Sequence, residues 1–395
     1  MNDTLPLNIA EALAQGLEFL RPLAGEDSFN PAVPAALLRA GLQRLPVPLK
    51  DGGLGGGLVD AMRVLAELGS VDGSAALGLA MHYQTLGAAM ESESWPPALL
   101  NEVISAVCEQ GALINLAATE ARGGSPARGA LPWVTARRQG SNWVINGEKR
   151  WTTWLPALRY AVVTARIVDS HPSVIEKKLR LGSFLLDLSL PGVERLPAFD
   201  GLGMRASASG ILDLKDVCLD DDRLIAASVA RVNDPRRASA QAWFGLCVSA
   251  VYLGVGEGAR NALLPWAVER KPGDSRTTVA EIPSVRHRLG KLDAELRAAR
   301  IVLFEVAQRW ETITGENGRE DCLSDVALAK LKVTEAAVFA TDHAMRIAGG
   351  PGFSRGELER AFRDARAGLI HPPLEDVAYQ EFAKKLIQAY RPPCV

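Results

Sequence analysis

The side chains able to move a proton near neutral pH are few in this chain. Five histidines occur among 395 residues, and no two fall at HxxxH or HExxH spacing. That spacing is what places two imidazoles on one metal, so no metal site is expected. His82 lies in Met81-His-Tyr83, within an Ala- and Gly-rich stretch, and His371 stands directly before Pro372-Pro373. An imidazole with a pKa near 7 serves as proton donor or acceptor. Each also has a plainer reading. His82 fits a satisfied core residue. His371 fits a helix-ending turn, because a residue before proline avoids the helical region. Glu375, four residues on, is either an acid that reaches a site from the next helix start or a first-turn residue favoured by the dipole.

Other chemistry is limited by what is missing. Asp51-Gly-Gly-Leu-Gly-Gly-Gly57 lacks the Lys-Ser/Thr of a phosphate loop and reads as a flexible turn. The five cysteines form no CxxC pair, which suits free thiols in a reducing compartment. The N-terminus shows no basic region followed by an apolar segment, so a cytoplasmic location is expected. With a formal net charge of -2, 48% hydrophobic and 23% charged residues, nucleic acid and membrane surfaces are not expected partners. The longest apolar stretch, Ala242 to Gly256, is too short to span a bilayer and reads as a buried helix.

Three segments of different period must position these residues. Residues 1–112 form a helical domain, with apolar residues at helical spacing in 9–20, 33–42, 58–68 and 74–90. Residues 113–226 switch to period two. The runs 133–138, 142–145, 160–165, 183–187 and 210–214 are strand-like and are separated by turns such as Gln139-Gly-Ser and Asn146-Gly. This predicts a central antiparallel β-barrel-like or sandwich domain, with no alternating helices of a Rossmann unit. Residues 227–395 return to helices over 236–269, a stripe from Leu289 to Trp310, 323–347 and 375–390, with 271–281 as a loop. Four such helices imply a bundle. The fold class expected is therefore α+β: an N-terminal helical domain, a central β domain and a C-terminal four-helix bundle.

That order, and six motifs within it, resemble the acyl-CoA dehydrogenase superfamily. Gly41 to Gly55 is similar to "G…VP…GGLG". Ala117-Ala-Thr-Glu120 with Gly124-Ser125 resembles "LTEPxxGS", with Ala121 and Pro126 replacing the usual Pro and Asp. Ile145-Asn-Gly-Glu-Lys-Arg-Trp-Thr-Thr153 resembles "INGxKxWIT". Asp200 to Ser207 resembles the "GxRxS" stretch. Ala348-Gly-Gly-Pro-Gly-Phe353 and Leu358 to Arg366 resemble "GGxGY" and "LERxxRDAR". The resemblance covers nearly the whole chain.

The resemblance implies FAD as cofactor and a homodimer or homotetramer. It places Ala118 and Thr119 at the pyrimidine edge of the flavin, Gly124 and Ser125 near the pyrophosphate, Trp151 on the ring and Thr153 near N5. Gly349 and Gly350 would approach the pyrophosphate of a neighbouring subunit. The family's "RxxFGxxI" loop is not clear; Arg270 lies nearest, with Arg276 in the same loop, and Arg346 replaces the family's Gln. A cation there suits a pyrophosphate.

The family's activity implies an acyl-CoA substrate, and its proton abstraction needs a base. Much of the family supplies a Glu from "YEGT" after "RDAR". Here Pro372 holds that position within Ile370-His-Pro-Pro-Leu374. Another branch takes a Glu from the first bundle helix, around 241–244, where no acid stands. Glu257 is about 21 Å farther along a helix of 1.5 Å rise. The stretch from Arg363 to Pro373 is also similar to the "xxxxHxP" that follows "RxAR" in flavin monooxygenases of this fold, which also resemble the chain at Met81-His-Tyr83. The candidate catalytic residues are thus His371, Glu375 and His82. Three functions stay open: acyl-CoA dehydrogenation with a non-standard base and an electron-transfer partner; monooxygenation with a flavin reductase; and a non-catalytic flavin-binding homologue.

Overall fold

The computed structural model describes residues 4–122, 131–168, 180–229, 236–274, 276–313 and 315–390. They group into two compact units. One comprises Met1–Ala61, Leu77–Gly201 and Arg205–Phe244; the other comprises Met62–Ala76, Leu202–Met204 and Gly245–Val395.

The first unit holds helices α1 (Leu7–Leu20), α2 (Ala32–Arg39), α5 (Pro97–Gln110) and most of α4 (Gly73–Ser92). In α1 the buried residues Ile9, Ala12, Leu13, Gly16 and Leu20 recur every three or four positions and form one apolar face. Helix α5 starts at a proline and ends on left-handed Gly111, the expected asymmetry of helix ends. Its Val103, Ile104 and Val107 pack with Ile114, Tyr160, Val162 and Leu185, which seats the helix on the sheet. Within α4, a Cβ on Gly78 would lie 2.0 Å from Trp154 Cε2, so only glycine lets that indole pack there.

The sheet has eight strands: β1 (Ile114–Ala117), β2 (Thr135–Gln139), β3 (Asn142–Thr152), β4 (Tyr160–Val168), β5 (Arg180–Asp187), β6 (Val193–Leu196), β7 (Gly210–Asp220) and β8 (Leu224–Val229). The order is β6-β7-β3-β2-β4-β5-β8, with β1 on β4. Most pairs are antiparallel, as expected, but β1 and β2 both run parallel to β4. The β2–β3 hairpin turns at Gly140-Ser141, flanked by the pair Gln139 and Asn142, and Gly140 has φ 62°. Such two-residue turns favour a residue that tolerates positive φ. The first four residues of β4 are all buried, so alternation is lost where a strand is covered on both faces.

The second unit contains the rest of α3 (Leu58–Val71) and α6 (Arg236–Glu269), with α7 (Pro283–Thr312), α8 (Glu316–Ala348), α9 (Gly350–Phe353), α10 (Glu357–Ile370) and α11 (Glu375–Tyr390). The α7 stripe from Leu292 to Trp310 is buried as its spacing predicts. Helices α3 and α6 cross closely: a Cβ on Gly254 would lie 2.2 Å from Ala66 O, and one on Gly69 would lie 2.6 Å from Val251 O. The apolar α6 is long enough to cross a bilayer, but most of its apolar window is buried. Helix α10 adds to the four bundle helices read from the sequence. Its buried residues are Asp364, Ala365 and Gly368, too small and polar to form a visible apolar stripe.

Candidate active site

In the first unit, two adjacent strand ends bring together the residues expected at a flavin ring. Ala118 and Thr119 follow β1, Trp151 and Thr152 end β3, and Thr153 comes directly after it. The Arg150 N–H donates to the Thr119 carbonyl at 2.8 Å. Beneath this bond, Lys149 Nζ meets Glu120 Oε1 at 2.6 Å with both side chains buried. Glu120 also accepts the Trp133 and Val134 N–H groups, and Lys149 donates to Thr164 Oγ1 at 3.2 Å. Burial lowers the Lys149 pKa, and the Glu120 carboxylate opposes that shift. Each partner is satisfied several times over, which is what a buried ion pair requires.

The register of β3 slips between Lys149 and Thr152. In an unbroken strand, residues 149 and 151 would point to the same face. The slip reverses that parity. Lys149 is fully buried, whereas Trp151 is 51% exposed and has φ 59°. A bulge that re-aims one side chain at the cost of a left-handed backbone is a device found at binding sites. The Trp151 indole stacks on Phe199 at 4.0 Å between ring centroids. Phe199 is tied back through its N–H to the Ser209 carbonyl.

Thr153 begins a chain of hydroxyls. Its Oγ1 lies 3.0 Å from Ser209 Oγ, which lies 2.9 Å from Ser207 Oγ. Asn115 Nδ2 donates to the Thr153 carbonyl at 3.2 Å. Among the described residues, buried Asn115 Oδ1 and Thr152 Oγ1 have no hydrogen-bond partner. A flavin is a flat apolar ring system with polar edges. An exposed indole beside a hydroxyl chain and two unpartnered oxygens fits such a group. Gly124 and Ser125 lie outside the described residues.

His82, also in the first unit, is held by backbone at both ring nitrogens. Its Nδ1 accepts the Ile114 N–H at 3.2 Å, so Nε2 carries the proton and donates to the Gln43 carbonyl at 2.8 Å. Burial lowers its pKa to about 4. The ring ties α4 to β1 and to the 42–44 turn, and in this arrangement neither nitrogen is left for a substrate.

In the second unit, Arg346 is exposed, and its Nε pairs with Asp342 Oδ2 at 2.6 Å, one turn back on α8. Gly349 and Gly350 follow. Both are exposed, Gly349 has φ 65°, and a Cβ on either would meet nothing within 4 Å. This is bare backbone open to a ligand. Arg270, exposed just past α6, accepts the Val279 N–H at its carbonyl.

His371 caps the C-terminal end of α10, where Pro372 stops the helix. It belongs to a polar line that the sequence did not announce. Tyr252 of α6, fully buried, has its hydroxyl 3.4 Å from His371 Nε2 and its ring edge-on at 5.7 Å. Asp364, on the same face of α10, accepts the Met204 N–H and is pushed up to about 6 by burial and by Asp72. Burial, then the Asp364 charge, raises the Tyr252 pKa well above its usual value. Lys330 of α8 is fully buried, and its Nζ has no hydrogen-bond partner among the described residues. Burial lowers it to about 8 against the pull of Glu335 and Glu375. Burial and then Lys330 lower His371 to about 4. His371 is thus a neutral imidazole at physiological pH, able to accept a proton. Glu375 is exposed in the first turn of α11, and Glu257 is held by a two-pronged bond to Arg300 at 2.9 and 2.7 Å.

Comparisons with known proteins agree with this architecture. Residues 115–217 match the model of the acyl-CoA dehydrogenase middle domain, and residues 246–375 match that of the acyl-CoA dehydrogenase C-terminal domain. YdbM of Bacillus subtilis, whose name assigns it to the acyl-CoA dehydrogenases, is 34% identical over 371 residues, covering 93% of each chain. Butyryl-CoA dehydrogenase from Megasphaera elsdenii superimposes with a TM-score of 0.83 at 20% identity, covering 98% of this chain and 100% of that one. FMN-bound TdsC from Paenibacillus sp. A11-2, a dibenzothiophene monooxygenase, superimposes equally well at 0.83 and 21% identity, covering 98% of each chain. Those two likenesses concern the fold. From the matched domains and the full-length relative, the chain belongs to the acyl-CoA dehydrogenase family.

Proposed function

We propose that the protein is an FAD-dependent oxidoreductase that removes hydrogen from the α and β carbons of an acyl-CoA, with His371 as the base. The observation that carries this reading is the neutral His371 imidazole beside the Tyr252 hydroxyl, at the place in the sequence where Pro372 replaces the usual carboxylate. Bound FAD would supply the hydride acceptor at N5. Trp151 would cover the ring, Thr153 would hydrogen-bond near N5, and Ala118 and Thr119 would meet the pyrimidine edge. Gly124 and Ser125, with Arg270, Arg346, Gly349 and Gly350, would serve the pyrophosphate. His371 would take the α-proton on its imidazole, and Tyr252 would hold the ring's orientation.

An electron-transfer partner would then reoxidise the enzyme. Exposed apolar residues on α11, among them Leu386, Ile387 and Tyr390, support a homodimer or homotetramer. A cytoplasmic location completes the proposal.

A histidine in place of a carboxylate also favours a second reading, a flavin monooxygenase in which His371 supplies a proton and a separate reductase supplies electrons. Anaerobic addition of an acyl-CoA panel to FAD-loaded protein separates the two. Loss of the flavin's visible absorbance supports dehydrogenation. Unchanged absorbance, with oxygen uptake only when a flavin reductase is present, supports monooxygenation. Neither response, in protein that binds FAD, points to a non-catalytic homologue.

A further inference from the structure

Trp133 leads into β2 in the first unit, with its side chain 54% exposed. One exposed indole is ordinary on a protein surface, but this one has two cations beside it. The guanidinium carbon of Arg122 lies 6.0 Å from the ring centroid, and that of Arg166 on β4 lies 5.9 Å from it, at the outer limit of a cation–π contact. A third cation shares their sheet face. In the β2–β4 pair Thr135 stands opposite Arg166, so both point one way, and Arg137, two residues on from Thr135, points that way too. Arg137 is exposed. Backbone bonds hold the indole where it is: the Trp133 N–H donates to Glu120, and the Arg166 N–H donates to the Val134 carbonyl at 2.8 Å.

Among the described residues, none of these three guanidinium groups has a carboxylate partner. Glu120, two residues before Arg122, is already buried against Lys149. Like charges side by side on a sheet repel one another, so an anion bound among them relieves that repulsion. A flat ring that carries phosphates fits best: the ring stacks on the indole, and guanidinium forks take phosphate oxygens in pairs. We propose that Trp133, Arg122, Arg137 and Arg166 bind the nucleotide end of the acyl-CoA, with its adenine on the indole and its ribose 3′-phosphate and pyrophosphate on the guanidinium groups. FAD also carries an adenine and a pyrophosphate. Its pyrophosphate already has candidates in exposed Arg270 and Arg346 and the bare Gly349-Gly350 backbone. The nucleotide of CoA has none, and its extra phosphate suits a third cation. The proposal rests on the acyl-CoA reading of the substrate and not on the role of His371.

The test is a calorimetric titration of FAD-loaded full-length protein with free CoA and with dephospho-CoA, which lacks the 3′-phosphate. Neither compound carries an acyl group, so binding is read without turnover. The wild type should bind CoA more tightly than dephospho-CoA. Trp133→Ala should weaken both about tenfold, the scale of one stacked base, and Trp133→Phe should keep most of the affinity. Arg166→Gln should weaken CoA about tenfold and narrow its advantage over dephospho-CoA. Unchanged CoA affinity in both Trp133→Ala and Arg166→Gln overturns the proposal. So does a loss of FAD affinity in Trp133→Ala, measured against FMN, with CoA binding intact, because that gives the site to the flavin's own nucleotide. Wild-type protein that binds neither CoA nor dephospho-CoA overturns the proposal together with the substrate reading. Failure of the dehydrogenation reading alone looks different: CoA binds and the variants weaken it as expected, but no acyl-CoA bleaches the flavin.

Discussion

Lys149 and Glu120 lie 2.6 Å apart beneath the shelf formed by Thr119 and Trp151, one on β3 and one just past β1, with both side chains closed off from solvent. The bond fixes where Thr119 and Trp151 stand relative to each other. Removing one charge leaves the other buried and unpaired. Lys149→Met should therefore cost about 3–5 kcal/mol of stability, measured by urea unfolding of the apoprotein. Lys149→Met with Glu120→Gln should recover part of that loss, because no unpaired charge is left buried and the single Gln oxygen still accepts one of the Trp133 and Val134 N–H groups, which Glu120 takes on separate oxygens. Equal stability of the single and double variants would show that the pair does not hold the shelf.

Trp151 is half exposed and adopts a left-handed backbone, so its side chain adds little to folding. Trp151→Ala should leave the unfolding midpoint nearly unchanged and weaken FAD binding about tenfold, or about 1.4 kcal/mol. Trp151→Phe should retain most of the affinity. Flavin fluorescence in an equilibrium titration reads both. An unaltered dissociation constant in Trp151→Ala would remove the indole from the site.

His82 makes stability depend on pH. Its pKa falls from 6.5 in the unfolded chain to about 4 in the fold, so the unfolded chain binds more protons between those values. The stability it contributes is complete above pH 6.5 and is lost as pH falls toward 4, by about 3 kcal/mol in all at 1.36 kcal/mol per unit. Gln at this position can donate to Gln43 and accept from Ile114, so His82→Gln should lose this pH dependence. The difference between the two proteins at pH 7.5 and at pH 4.5 isolates the effect from those of His371 and Asp364.

Asp364 acts in the opposite sense. Its folded pKa is raised from 3.8 to about 6, so its favourable contribution is present below pH 3.8 and is lost as pH rises through 6. Asp364→Asn, which still accepts the Met204 N–H, should be more stable than the wild type above pH 6, by no more than about 3 kcal/mol, and about equal to it near pH 4. Thermal midpoints across that range provide the check. A variant less stable at pH 8 would mean that the carboxylate is stabilised by contacts stronger than its burial cost.

The outer architecture was readable because periods of two and 3.6 survive in residues such as Leu292 to Trp310 on α7. Strands β1 and β6 escaped notice because each spans only four residues, and β8 because Leu224-Ile-Ala-Ala-Ser-Val229 carries no clean alternation of apolar and polar residues. The helix α10 escaped because small Ala365 and Gly368, not large apolar residues, face its neighbours. In the candidate site, Trp151 and Thr153 were legible through their fixed offsets from Lys149. The bulge that turns Trp151 outward was not, since it arises from pairing between β3 and β7. Lys330 did carry a signal, a lysine on an apolar stripe. Tyr252 and Asp364 become polar partners of His371 and Tyr252 only once α6 and α10 are packed, and spacing within one helix says nothing about that.

The most direct test of the account compares wild-type and His371→Ala protein, both loaded with FAD, in anaerobic stopped-flow mixing with an acyl-CoA that reduces the wild type. Losing a positioned base should slow the fall in flavin absorbance about 100-fold or more, while the FAD dissociation constant stays the same. Reduction at the wild-type rate in His371→Ala, or a wild type that no acyl-CoA in the panel reduces, would contradict the account.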